Sequence, residues 1–161
     1  MSANKERPHV YVLPEDERNL QLATEFLAHV DVNRQRQMYV LDVAKGWNRV
    51  LDLFESVHIS EMDGCPQRFM VLLIDFDGRP ERLKVAKARI PEHLSDRVFV
   101  VGALTDPENL KRELGSYETI GSDLATDCRE ETDTTWGNSL LRHNTGELDR
   151  LREHVRPILF P

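Results

Sequence analysis

Phe69-Met-Val-Leu-Leu-Ile-Asp-Phe-Asp-Gly78 decides the fold of this chain. Its first six residues are apolar without interruption, which suits a strand covered on both faces. Two aspartates and a glycine then end the run at once. Six apolar residues fall far short of the ~20 needed to span a bilayer, so no membrane segment is expected. Working outward, His9-Val-Tyr-Val-Leu13 is a second buried strand, bounded by Pro14. Met38-Tyr-Val-Leu41 and Val98-Phe-Val-Val101 are two more. Between them lie stretches of helical period. Leu20, Ala23, Leu27 and Val30 predict a helix over 16–30, and Trp47, Val50, Leu51, Phe54 and Val57 a second. Leu83, Ala86 and Ile90 predict a third. Asp106-Pro107 opens a fourth, with Asp as N-cap and Pro at the first helical position.

Strand and helix thus alternate four times within about 115 residues. That order predicts an α/β domain over 8–115, with a four-stranded, mainly parallel sheet flanked by helices. From 116 to 161 the pattern is helical only. Leu124 and Cys128, then Trp136, Leu140 and Leu141, then Leu148, Leu151 and Val155 predict two or three short helices packed on the same domain. Asn144 with Glu147 reads as a capping-box variant, and Pro157 as the stop of the last helix. Ile158-Leu159-Phe160 is an apolar end expected to dock on its own domain. Trp136 is expected in the core, and His143, at a helix junction, as a capping or core hydrogen-bonding residue.

In parallel sheets, functional residues gather beyond the carboxyl ends of the strands. Three of those ends are acidic: Glu15-Asp16-Glu17, Asp75-Phe76-Asp77, and Asp106-Pro107-Glu108. The second strand ends in Asp42-Val-Ala-Lys45-Gly46, where glycine permits a tight turn. Residues two apart on a strand point the same way, so Asp75 and Asp77 are expected to leave the sheet together. Two such carboxylates repel unless one is protonated or a cation relieves them. Oxygen ligands completed by water and phosphate describe Mg²⁺ chemistry. A basic stretch follows, Arg79, Arg82, Lys84, Lys87 and Arg89, which reads as a solvated helix face or as a phosphate contact. Cys65 and Cys128 show neither metal-ligand spacing nor a disulfide framework. Met1 to Pro8 lack the apolar core of a signal peptide, so the cytoplasm is expected.

The order strand-Glu, strand-Gly, strand-Asp-x-Asp resembles the TOPRIM domain of topoisomerases, primases, small ribonuclease maturases and overcoming-lysogenization-defect nucleases. The matching residues are Glu15, Gly46, Asp75 and Asp77, and the likeness covers roughly residues 8–115. Two positions depart from the pattern: Asp16 stands where Gly is usual, and Asn19 where an acidic residue is common. The resemblance implies a Mg²⁺- or Mn²⁺-dependent nuclease acting on DNA or RNA. Glu15, Asp75 and Asp77 would be its catalytic and metal-holding residues, with Asp106 and Glu108 as candidates for a second metal. Lys45, Arg79, Arg82, Lys84 and Lys87 would contact nucleic-acid phosphate. It also implies a partner, either an ATPase or a second copy of the chain. Two alternatives stand beside it. One is a catalytically inert TOPRIM-like module that binds a partner. The other is a haloacid-dehalogenase-type phosphatase, whose first motif also resembles Asp75-Phe-Asp77-Gly.

The chain has 161 residues and carries 21 Lys+Arg against 28 Asp+Glu, a net charge of −7. Such a balance argues against a free-standing tight nucleic-acid binder, which needs lysine and arginine for phosphate. It leaves room for an enzyme whose carboxylates hold a metal.

Overall fold

Four short runs of apolar, largely β-branched or aromatic residues pair side by side in the computed structural model, which describes residues 4–161. They are β1 (His9–Pro14), β2 (Met38–Val40), β3 (Arg68–Leu73) and β4 (Val98–Val101). All pairings are parallel, and the order across the sheet is β2-β1-β3-β4. β1 lies in register with β3, from His9 beside Arg68 to Pro14 beside Leu73. Pro14 therefore belongs to the strand and does not stop it. Residues 1–3 of the opening segment lie outside the described residues.

Helices cover both faces. Helix α1 (Glu17–Leu27) follows β1 and is capped by the Asp16 carboxylate, which accepts from the Asn19 amide. The predicted helix from Trp47 is longer than its apolar spacing suggested. α2 (Trp47–Leu53) runs through one widened turn, Phe54–His58, into α3 (Ile59–Asp63). α4 (Arg82–Ala88) joins β3 to β4. α5 (Pro107–Leu114) starts at Asp106 as expected, and α6 (Tyr117–Glu130), α7 (Thr145–His154) and α8 (Arg156–Leu159) follow.

The two faces of the strands divide the core as alternation requires. Tyr11, Leu13, Met70, Leu72, Val98 and Val100 pack on Val50, Leu51, Phe54, Met62 and Ala86 of α2 to α4. On the opposite face Val10, Val12, Val71, Phe99 and Val101 meet Ala23, Ala125, Val155 and Ile158. A smaller cluster of Leu22, Leu110, Tyr117, Ile120 and Leu124 joins α1, α5 and α6. α6 lies close on α1: a Cβ on Gly121 would fall 2.7 Å from the Cβ of Glu25.

The tail departs from its sequence pattern at residues 131–141, at Pro157, and at Asn144 with Glu147. Residues 131–141 are turns and not a helix. The buried Asp127 carboxylate organises them by accepting from the Thr132 hydroxyl and from the Thr135 and Trp136 amides. Pro157 sits in the first turn of α8, where its missing N–H costs nothing, and starts that helix. Ile158, Leu159 and Phe160 are buried against the sheet.

Asn144 and Glu147 do not form a capping box. On the free side of β4, the Glu147 carboxylate accepts from the Val100 amide at 3.2 Å. Asn144 accepts from the Gly102 amide at 3.2 Å and donates to the Gly102 carbonyl at 3.0 Å. Arg150 donates to the Val98 carbonyl at 3.4 Å. Residues 98, 100 and 102 are those whose polar groups face away from β3. Side chains thus meet the edge where another strand would otherwise pair. No helix is long and apolar enough to cross a membrane among the described residues.

Candidate functional site

The strand order places a switch point between β1 and β3. The chain leaves β1 towards β2 on one side, and leaves β3 towards β4 on the other. Ligands in open parallel sheets bind in the crevice at such a point. Glu15 and Asp75, the residues just past these two strand ends, stand there together. The Asp75 amide donates to the Glu15 carboxylate at 2.9 Å, and the Glu15 amide donates to the Leu73 carbonyl at 2.9 Å.

Asp16 joins them. Glu15, Asp16 and Asp75 each present a carboxylate oxygen, and the three oxygens lie within 4.8 Å of one another. Asn19 holds part of this arrangement from below. It is 1% exposed, and its Nδ2 donates to Oδ1 of Asp16 and to Oδ1 of Asp75, each at 3.0 Å. Its own Oδ1 is buried and has no partner among the described residues. Asp16 and Asn19 are therefore the two site residues that motif matching passes over. Their signal in the sequence was local: an Asp N-cap three residues before an Asn on the inner face of α1.

Asp77 does not share this arrangement. Its φ is +49° and that of Gly78 is +72°, so the chain turns left-handed and strand alternation no longer applies. The Asp77 carboxylate instead pairs with Arg82 at 2.9 Å. Arg82 also donates to the Asp75 carbonyl at 2.8 Å and stacks on Trp47, 4.4 Å from the ring centroid. The whole loop is pinned to the end of β4, with the Phe76 amide on the Ala103 carbonyl and the Gly78 amide on the Leu104 carbonyl. Phe76 turns inward, and His143 packs edge-on against it at 4.8 Å.

The remaining candidates are spread more widely. Asp106 caps α5 by accepting from the Asn109 amide. Glu108 pairs with Arg18 at 3.3 Å and Arg112 at 3.5 Å on the surface. Lys45 is exposed with φ +69°, and the amides of Lys45 and Gly46 both donate to the Glu15 carbonyl. This turn brings the β2 loop against the carboxylates. Arg79 and Lys84 are exposed and make no ion pair among the described residues. Lys87 reaches Glu147 at 3.6 Å, and Arg89 is held by Asp52 and Glu55.

Burial dominates the electrostatics. It pushes the Asp75 carboxyl up to about 7; the Asn19 hydrogen bond opposes this, and the charges of Glu15, Asp16 and Asp77 add to it. Glu15 is raised as well, first by burial, against the pull of the Asp75 amide. Near neutrality, then, Asp75 exchanges a proton readily. Three converging carboxylates, with Glu15 and Asp75 both raised, form a donor set suited to a hard divalent cation. No family model, curated protein or solved structure matches the chain.

Proposed function

We propose that this protein is a Mg²⁺- or Mn²⁺-dependent phosphodiesterase, a TOPRIM-like nuclease acting on DNA or RNA in the cytoplasm. The observation that carries the reading is the meeting of Glu15, Asp16 and Asp75 at the switch point of the sheet. In this reading Asp16 and Asp75 hold the cation together with Glu15. Once bound, the metal would neutralise phosphate charge and lower the pKa of a water. Before a cation arrives, burial holds the Asp75 carboxyl at about 7, so cation binding near neutral pH would release its proton. Lys45, Arg79 and Lys84 are the exposed cations available to the phosphate backbone, and Arg82 borders the site. Because the chain is acidic overall, a nucleic-acid substrate needs the metal, and a second copy or an ATPase partner, to hold it.

A second reading has one observation in its favour. Asp77 is engaged by Arg82, and without it the resemblance to an active site is incomplete. This favours an inert TOPRIM-like module that binds a partner. The same ion pair counts against the phosphatase, whose two aspartates must face one phosphorus.

One experiment separates the three. Purified protein is incubated with Mg²⁺ or Mn²⁺ on single- and double-stranded DNA and RNA, and separately on p-nitrophenyl phosphate. The nuclease predicts cutting by the wild type and loss of cutting in Glu15→Gln and Asp75→Asn. Cutting that survives Asp75→Asn refutes the site. Phosphate release from the small ester alone supports the phosphatase. No turnover and no Mn²⁺ binding supports the inert module.

A further inference from the structure

The sheet face that carries α1, α6 and α8 does not close completely. A cavity of about 120 Å³ lies between it and the helices, walled by Val12, Phe26, Leu73, Leu124, Trp136 and Leu151. Protein interiors hold few voids larger than a water molecule. A void lined by aliphatic and aromatic groups gives water too few partners to settle there. Apolar cavities of about 150 Å³ stay dry and accept benzene-sized guests.

Two arginines reach the wall, and Arg156 is already satisfied there by the carbonyls of Cys128 and Arg129. Arg152 borders the cavity, and its guanidinium tip is already fixed: Nη1 pairs with Asp133 at 3.0 Å, and Nη2 donates to the carbonyls of Asp127 and Thr132. Its Nε–H is buried and has no acceptor among the described residues. A donor held in place and left unsatisfied costs free energy unless something brings an acceptor to it. Cys128, also on the wall, supplies no charge, since burial pushes its thiol up to about 11.

We infer that this cavity binds a small apolar molecule of roughly six to eight heavy atoms that carries one hydrogen-bond acceptor. Its hydrocarbon body lies against Val12, Phe26, Leu73 and Leu151, and its acceptor takes the Arg152 Nε–H. The site is separate from the carboxylates, although α1 serves both: Asn19 lies one turn before Leu22 and Ala23, which border the cavity.

Cyclohexanone and methylcyclohexane test this as probes, being rings of nearly equal size with and without a carbonyl oxygen. Titrations of the whole 161-residue chain are followed by NMR of the methyl groups and of the Arg152 Nε–H. Both probes should give saturable shifts at the methyls of Val12, Leu73 and Leu151. Only cyclohexanone should move the Arg152 Nε–H downfield. Filling the cavity with Ala23→Leu should abolish the shifts from both. If that variant does not fold, Cys128→Leu fills the same space from α6. Absence of saturable shifts with either probe overturns the inference, as does their persistence in a folded, filled variant. Binding of cyclohexanone that leaves the Nε–H unmoved refutes the assigned acceptor contact.

Discussion

Replacing Asp75 by Asn should stabilise this protein, increasingly so as the pH rises. The Asn side chain has the same shape and can still accept from Asn19 Nδ2, but it carries no charge into the switch point. The magnitude follows from proton linkage. The Asp75 carboxyl goes from an ordinary 3.8 to about 7 in the folded chain. Between those values the folded form keeps a proton that the unfolded form has released. The stability linked to that proton is fully present below 3.8 and is lost as the pH rises through about 7. A displacement of this size corresponds to a ceiling of about 4 kcal/mol. Glu15 and Asp16 beside it are only half-buried, so solvent screens part of the charge, which brings the expected effect to roughly 2 kcal/mol. For a chain of this length that is a difference of roughly 4–8 °C in Tm.

The assay is urea and thermal unfolding of wild type and Asp75→Asn at pH 4, 6 and 8. The stability gap between them should widen by roughly 2 kcal/mol from the lowest to the highest pH. Mg²⁺ or Mn²⁺ should narrow it at pH 8, because a cation favours the ionised carboxylate, and should leave the variant unmoved. A gap that stays constant from pH 4 to pH 8 would show that Asp75 ionises as easily folded as unfolded. The argument from burial and crowding would then be wrong.

Three further outcomes are expected. Gly102→Ala places a Cβ 1.6 Å from the Ile74 carbonyl oxygen, a backbone atom that cannot move aside; it should cost about 3 kcal/mol or prevent folding, as read by circular dichroism. Glu147→Ala removes the acceptor of the Val100 amide and the buried partner of Arg150 and Lys87. A loss of about 3 kcal/mol is expected in urea melts, and β4 amides should exchange faster with deuterium. His9 is fully buried between the Arg7 carbonyl and Arg68 Nε, and burial lowers its pKa from 6.5. Stability linked to neutral His9 should therefore be complete above pH 6.5 and decline as the pH falls towards the folded value, and His9→Gln should flatten this acid limb of the unfolding profile.

The strands were legible because each is a continuous apolar run, and a strand covered on both faces cannot be written otherwise. The adjacency that makes the site was not. Glu15 meets Asp75 because β1 pairs with β3 across some sixty residues of chain, a choice made by packing and not by local pattern. Asp77 is not one of the three converging carboxylates because alternation holds only while φ stays extended; the chain turns left-handed at that residue and its carboxylate pairs with Arg82. Asn144 and Glu147 have the spacing of a helix cap, but the unpaired amides of β4 compete for them more strongly. The extra turn joining α2 to α3 displaces the helical period, so the apolar spacing ended at Val57 while the helix continued to Asp63.

The side chains that meet β4 have a consequence for anyone shortening this chain. A fragment ending near Leu114 keeps every strand and the three carboxylates, and looks like a natural minimal version. It would also leave the outward amides and carbonyls of residues 98, 100 and 102 with no partner, beside an uncovered Phe99. Two such fragments could join edge to edge into one longer sheet. Loss of solubility on trimming would then report an unsealed margin, and would say nothing about whether the carboxylates still work.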